Sequence, residues 1–186
     1  MPGASPSWHG AAGGLVGKAV PYGVGDAGHN HRFVNVGTSH DTPDFAVESV
    51  RLWWETEGRE RYAGADSLLV FADGGGSNSS RSRVWKVRLQ ALADQLQLPI
   101  TVCHLPPGTS KWNKIAHRLF AYINIHWRGQ PLVNYATIVS LIGTTSTTTG
   151  LTVTARLDLS GYPTGIEVTD AEVAALALTR HATNPQ

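Results

Sequence analysis

The stretch that most constrains this chain is Ser67–Arg83, Ser-Leu-Leu-Val-Phe-Ala-Asp-Gly-Gly-Gly-Ser-Asn-Ser-Ser-Arg-Ser-Arg. Leu68–Ala72 is a short apolar run without charge, and such a run bounded by turn residues predicts a buried strand. Asp73 follows at once, and three glycines then break regular structure. A carboxylate where a strand opens into a glycine-rich loop suits a hard cation. Mg²⁺ and Mn²⁺ take carboxylate oxygens, and Mg²⁺ draws only one or two of them from the protein. Asp-Gly is also an ordinary turn pair, so the pattern alone leaves both roles open.

The chain has 186 residues, 41% of them hydrophobic and 16% charged, which is enough for one domain with a core plus an extension. No apolar run approaches the length of a membrane span. Residues 1–17, rich in Gly, Ala, Ser and Pro, lack the basic start and apolar centre of a signal peptide and predict a disordered leader. Cys103 stands alone, so a disulfide framework and a cysteine zinc cluster are excluded. A reducing, cytoplasmic compartment is the matching expectation.

Charge is distributed unevenly. Net charge is +1, yet residues 81–128 carry eight basic side chains (Arg81, Arg83, Lys86, Arg88, Lys111, Lys114, Arg118 and Arg128) against Asp94 alone. The flanking segments are acidic. A basic middle third points to a polyanion-facing surface, and a solvated helical face is the plainer alternative.

Along the chain, Lys18–Val24 and Arg32–Val36 predict two strands joined by a turn at Gly25–Asn30, a hairpin. His29-Asn30-His31 packs into one tripeptide what a His-Asn-His nuclease disperses over a larger unit, so these are expected to be turn residues. His40-Asp41-Thr42-Pro43 predicts a helix start. Phe45, Val47, Val50, Trp53 and Trp54 form its core face, Glu48, Arg51 and Glu55 its outer face, and Gly58 its end. Val84–Gln97 repeats helical spacing, and Leu98–His104 predicts the next strand.

Thr109 or Ser110 would cap a helix over Lys111–Ile125. Trp112, Ile115, Ala116, Leu119, Phe120 and Ile123 share its apolar face, opposite Lys111, Lys114 and Arg118. Asn134–Ile142 predicts a further helix, Gly143–Gly150 a polar linker, Leu151–Leu157 an edge strand, and Thr169–Thr179 a short helix opened by a capping box. This order predicts an α/β protein with a mixed β-sheet and flanking helices. The expected divisions are the leader 1–17, a domain over 18–143 and a C-terminal extension over 144–186.

Lys18-Ala-Val-Pro-Tyr-Gly-Val24, Phe33-Val-Asn-Val-Gly-Thr38, Ala72-Asp-Gly-Gly-Gly-Ser-Asn78, His104-Leu-Pro-Pro-Gly-Thr-Ser-Lys-Trp-Asn-Lys-Ile115 and His117-Arg-Leu-Phe120 resemble bacterial insertion-sequence transposases of the ISAzo13 type. The likeness covers about residues 18–180. It implies a DDE domain with a ribonuclease-H-like fold, incomplete here at its N-terminus. The implied chemistry is DNA transposition by phosphoryl transfer, in which carboxylates hold two Mg²⁺ or Mn²⁺ ions.

By this resemblance Asp73 matches the second of three metal carboxylates, while Ala116 occupies the position of the family's glutamate. The first aspartate belongs to a strand upstream of Lys18–Val24. No Asp or Glu precedes Asp26, which itself matches a family aspartate outside the triad. The implied reading is a truncated, catalytically inactive copy, without a two-metal site and with an exposed strand edge. Arg81, Arg83, Lys111, Lys114 and Arg118 are the expected DNA contacts, with His104, Asn113 and His117 as accessory residues. DNA is the implied partner, with a second copy or a full-length transposase beside it, in the cytoplasm at the nucleoid. The alternative is a non-catalytic DNA-binding protein; a residual nuclease built on Asp73, Asp26 and a histidine is a third idea.

Overall fold

A computed structural model describes residues 18–105, 134–144 and 150–179. Those residues fall into two compact units. The predicted leader, the helix over Lys111–Ile125 and most of the polar linker lie outside the described residues.

One unit begins with the hairpin of β1 (Val20–Asp26) and β2 (His31–Gly37), which pair antiparallel with Asp26 opposite His31. Asn30 enters the left-handed region at φ 49°, a conformation Asn tolerates better than most residues, and turns the chain back. β5 (Thr152–Asp158) pairs in parallel with β2 on its other side. The result is a mixed three-stranded sheet in the order β1-β2-β5, with Leu151–Leu157 the edge strand its alternation predicts.

Every residue of the central β2 is buried. Val34, Val36 and Val153 from the sheet meet Ile138 and Ile142 of α3 (Tyr135–Gly143), closing the core with Ala19 and Leu151. Asn134 caps α3, its Oδ1 accepting from the Thr137 N–H at 2.8 Å. His31 is a strand residue and not part of the turn: its Nδ1 meets the Thr152 hydroxyl at 2.7 Å, so β5 recruits it into the sheet.

The second unit starts at α1 (Pro43–Trp53), capped by Thr42, whose Oγ1 accepts from the Phe45 N–H at 3.3 Å. The predicted core face is buried. On the outer face Arg51 makes a two-pronged pair with Glu48 and reaches Glu55. Gly58 does not end the helix. The chain widens into a π-turn over Trp54–Gly58 and runs on as helix through Arg59–Arg61. The glycine is there for packing, since a Cβ on it would stand 2.7 Å from Trp54 Cε3.

β3 (Leu68–Ala72), α2 (Arg83–Leu96) and β4 (Ile100–His104) form a βαβ unit with the two strands parallel, Ala72 opposite His104. Ser82 caps α2, and Gln97 leaves it in the left-handed region at φ 54°. Trp85, Leu89 and Leu92 form its buried stripe, and α1 packs against α2. α4 (Asp170–Ala174) carries the predicted capping box, Thr169 and Glu172 exchanging both bonds.

Among the described residues the strands form a mixed β1-β2-β5 sheet and a parallel β3-β4 pair. One expectation needs correction: Leu68–Ala72 is not buried on both faces. Leu69 is 53% and Phe71 66% exposed, since only the face carrying Val70 and Ala72 is turned away from solvent. An apolar run reports affinity for cover and does not show that both faces receive it.

Candidate metal and nucleic-acid site

Asp73 stands at the C-terminal end of β3, and the parallel register places His104 at the matching end of β4. The Leu105 N–H donates to the Ala72 carbonyl at 2.8 Å, tying the two chain exits together. Gly74 at φ 72° and Gly76 at φ 58° then turn the loop through conformations that disfavour a side chain. At Gly74 a Cβ would also sit 3.3 Å from the Leu105 carbonyl oxygen. The glycines let the loop fold back over the end of β4.

Within this loop Asp73 Oδ1 accepts from the Gly75 N–H at 3.3 Å. The Asn78 amide is assigned from its neighbours with its nitrogen toward oxygen acceptors, where it donates to the Gly75 carbonyl at 2.7 Å and to Asp73 Oδ1 at 3.2 Å. The opposite orientation would set its oxygen against those two oxygens. His104 Nε2 lies 3.0 Å from the Asn78 carbonyl oxygen, and because a carbonyl only accepts, the imidazole donates there. His104 thus braces the loop that carries Asp73. Asn78 was not singled out from the sequence as a site residue; its place at the far end of a glycine run opening on an aspartate was the available signal.

Of the predicted DNA contacts, Arg81 is exposed in the turn before α2, its N–H held by Ser79 Oγ at 3.3 Å. Arg83 opens α2 and is met by the C-terminal segment: Nη1 lies 2.6 Å from Asp170 Oδ1 and donates to the Val168 carbonyl at 3.1 Å. No acidic residue lies in the first turn of α2. A basic side chain at the positive end of a helix is unfavourable on its own, and the Asp170 carboxylate sits on Arg83 there. Lys111, Lys114, Arg118, Asn113, His117 and Ala116 lie outside the described residues.

Asp26 belongs to the hairpin in the other unit. Its buried Oδ1 accepts from the Gly28 and His29 N–H groups at 2.9 and 3.2 Å, which closes the turn. Among the described residues no group of three or more His, Cys, Asp or Glu side chains is gathered to hold a metal ion.

A family described as the Rhodopirellula transposase DDE domain matches residues 5–186, essentially the whole chain. The chain belongs to this family. No curated protein and no solved structure matches it. Membership makes transposition the function of the family, with DNA as partner and a divalent metal in its chemistry. In this DDE domain the mixed sheet and helices are compatible with the family fold. Among the described residues no helix is long and apolar enough to cross a membrane. Among the described residues Asp73 is the one carboxylate of this loop, a donor set that fits a single hydrated Mg²⁺ or Mn²⁺ held largely by water and not a pair of ions.

Proposed function

We propose that this chain is a DNA-facing, ribonuclease-H-like DDE domain that does not carry out strand transfer by itself. The family match along essentially the whole chain is the observation that carries the DNA partner. The βαβ arrangement, which puts Asp73 on a strand end beside a glycine loop, supports its role as the surviving metal carboxylate. In-line phosphoryl displacement needs charge stabilisation on both the attacking and the leaving oxygen. Ala116 offers no oxygen where the family has its glutamate, and Asp73 alone cannot clamp two ions.

What the chain retains is a basic segment over residues 81–128 and an electropositive start to α2, features suited to DNA phosphates. The test is a strand-transfer and nicking assay on duplex DNA with Mg²⁺ or Mn²⁺, run beside a binding titration. The expected result is saturable, salt-sensitive binding without cleavage. Metal-dependent cleavage by the unaltered chain that is lost in Asp73→Asn would overturn the reading. The second reading, a protein that persists to bind DNA or to pair with a full-length transposase, is favoured by Asp170 docking on Arg83, since that contact marks the start of α2 as a place that takes anions.

A further inference from the structure

We propose that Asn78 and His104 are positioning residues for the Asp73 carboxylate, an inference that rests on reading Asp73 as cation-facing. The two oxygens of Asp73 are treated unequally. Oδ1 takes both bonds formed inside the loop, from the Gly75 N–H and the Asn78 amide, while among the described residues no hydrogen bond reaches Oδ2. A carboxylate anchored through one oxygen has lost its freedom to rotate, and the other oxygen is the one offered to an outside ligand. Asn78 imposes this only if its own backbone is fixed. The short 3₁₀ turn Gly76–Asn78 contains a glycine at positive φ, packs against α1 with Ser77 buried, and has the Ser79 N–H on the Gly76 carbonyl at 3.3 Å. His104 adds a fixture from the strand side, donating from β4 to the Asn78 carbonyl. The relay therefore runs from a regular strand through the imidazole and the Asn78 peptide to one oxygen of Asp73. Partners of this outer kind set ligand orientation, and their loss costs about 10- to 100-fold in metal affinity where measured.

The test is NMR on the labelled full chain, with and without MnCl₂ as the probe. Without metal, Asn78→Ala and His104→Ala are each expected to shift the Asp73 carboxyl ¹³C resonance and to speed exchange of the Gly75 amide, leaving the amides of Val34 and Val36 unmoved. His104→Gln, which keeps a donor on a side chain of similar reach, is expected to restore most of both signals. With Mn²⁺, broadening centred on Gly74–Gly76 is expected, requiring about tenfold more metal in either alanine variant. Unchanged Asp73 and Gly75 signals in both alanine variants would overturn the relay. Loop broadening that is absent, or that survives Asp73→Asn, would instead overturn the cation-facing reading, and the metal-free signals would still decide the relay.

Discussion

The Tyr162 hydroxyl donates to Asp158 Oδ2 at 2.5 Å, four residues beyond the point where β5 ends on that same aspartate. Asp158 is buried, and burial alone would raise its carboxyl. The bonds from Tyr162, the Ser160 N–H and the fully buried Asn35 amide outweigh that and hold it below the ordinary aspartate range. A carboxyl lowered in the folded state contributes stability in full above its unfolded value, about pH 4, and loses it as pH falls from there through the lower folded value. Tyr162→Phe should therefore cost about 2 kcal/mol near neutral pH, as expected for a hydrogen bond to a charged group. That difference should shrink in acid. Urea unfolding of both proteins from neutral pH to about pH 2 checks it; a constant gap across the range would mean Asp158 is not the group involved.

Gly58 sits in helical backbone, where alanine ordinarily gains up to about 1 kcal/mol. Here the new methyl would meet Trp54 Cε3 at 2.7 Å and the Trp53 ring at 3.3 Å, and both indoles are 6% exposed and cannot swing away. Overpacking of this kind costs about 1–3 kcal/mol. Gly58→Ala is thus expected to be destabilising by up to about 2 kcal/mol once the full propensity gain is set against it. The urea midpoint should fall with an unchanged slope, and the near-ultraviolet tryptophan signal should change. A higher midpoint would show that the π-turn absorbs the methyl.

The place of Gly58 shows what a sequence of this kind discloses. Gly58 stands where a helix could end, and local rules cannot see that it faces two indoles brought there by the same helix. Caps are different, because their partners lie three residues away: Thr42, Ser82, Asn134 and Thr169 each cap as their side chains allow. The hairpin was legible for the same reason. Pairing of β5 with β2 joins residues more than a hundred positions apart and leaves no local trace, so the sequence around His31 predicts a turn residue while Thr152 and Thr154 hold it in the sheet. At the site, Asp73 was legible as a strand-end carboxylate, whereas the bond from His104 to Asn78 depends on the parallel register of β3 and β4.

That register also leaves Leu69 and Phe71 on one open face of a two-stranded sheet, in a strand with no charge and no proline. Edge strands of this composition template intermolecular pairing, and a lysine is the usual remedy. Phe71→Lys is expected to slow aggregation on mild heating several-fold, followed by light scattering. Its effect on unfolding free energy should stay within about 0.5 kcal/mol, the range for exposed positions. A loss of about 2 kcal/mol or more would mean that this side chain is covered in solution.

Arg83 and Asp170 pair across exposed surface, at 52% and 89% side-chain exposure, so the contact is weak and open to competition. DNA phosphates would have to displace the carboxylate, whereas Arg81 faces no such competitor in an ion pair among the described residues. Each phosphate contact contributes about 0.9 to the slope of log affinity against log salt on duplex DNA. Arg81→Ala should flatten that slope by about this amount, and adding Arg83→Ala should flatten it by about as much again. Asp170→Asn moves the other way, since it removes one negative charge and frees Arg83; affinity at low salt should rise up to about fivefold, in line with an exposed pair worth at most about 1 kcal/mol. Fluorescence anisotropy on a labelled duplex at four or five salt concentrations measures all three. If the double arginine variant keeps the unaltered slope, phosphate binding does not pass through the start of α2, and the basic surface must be sought elsewhere along residues 81–128.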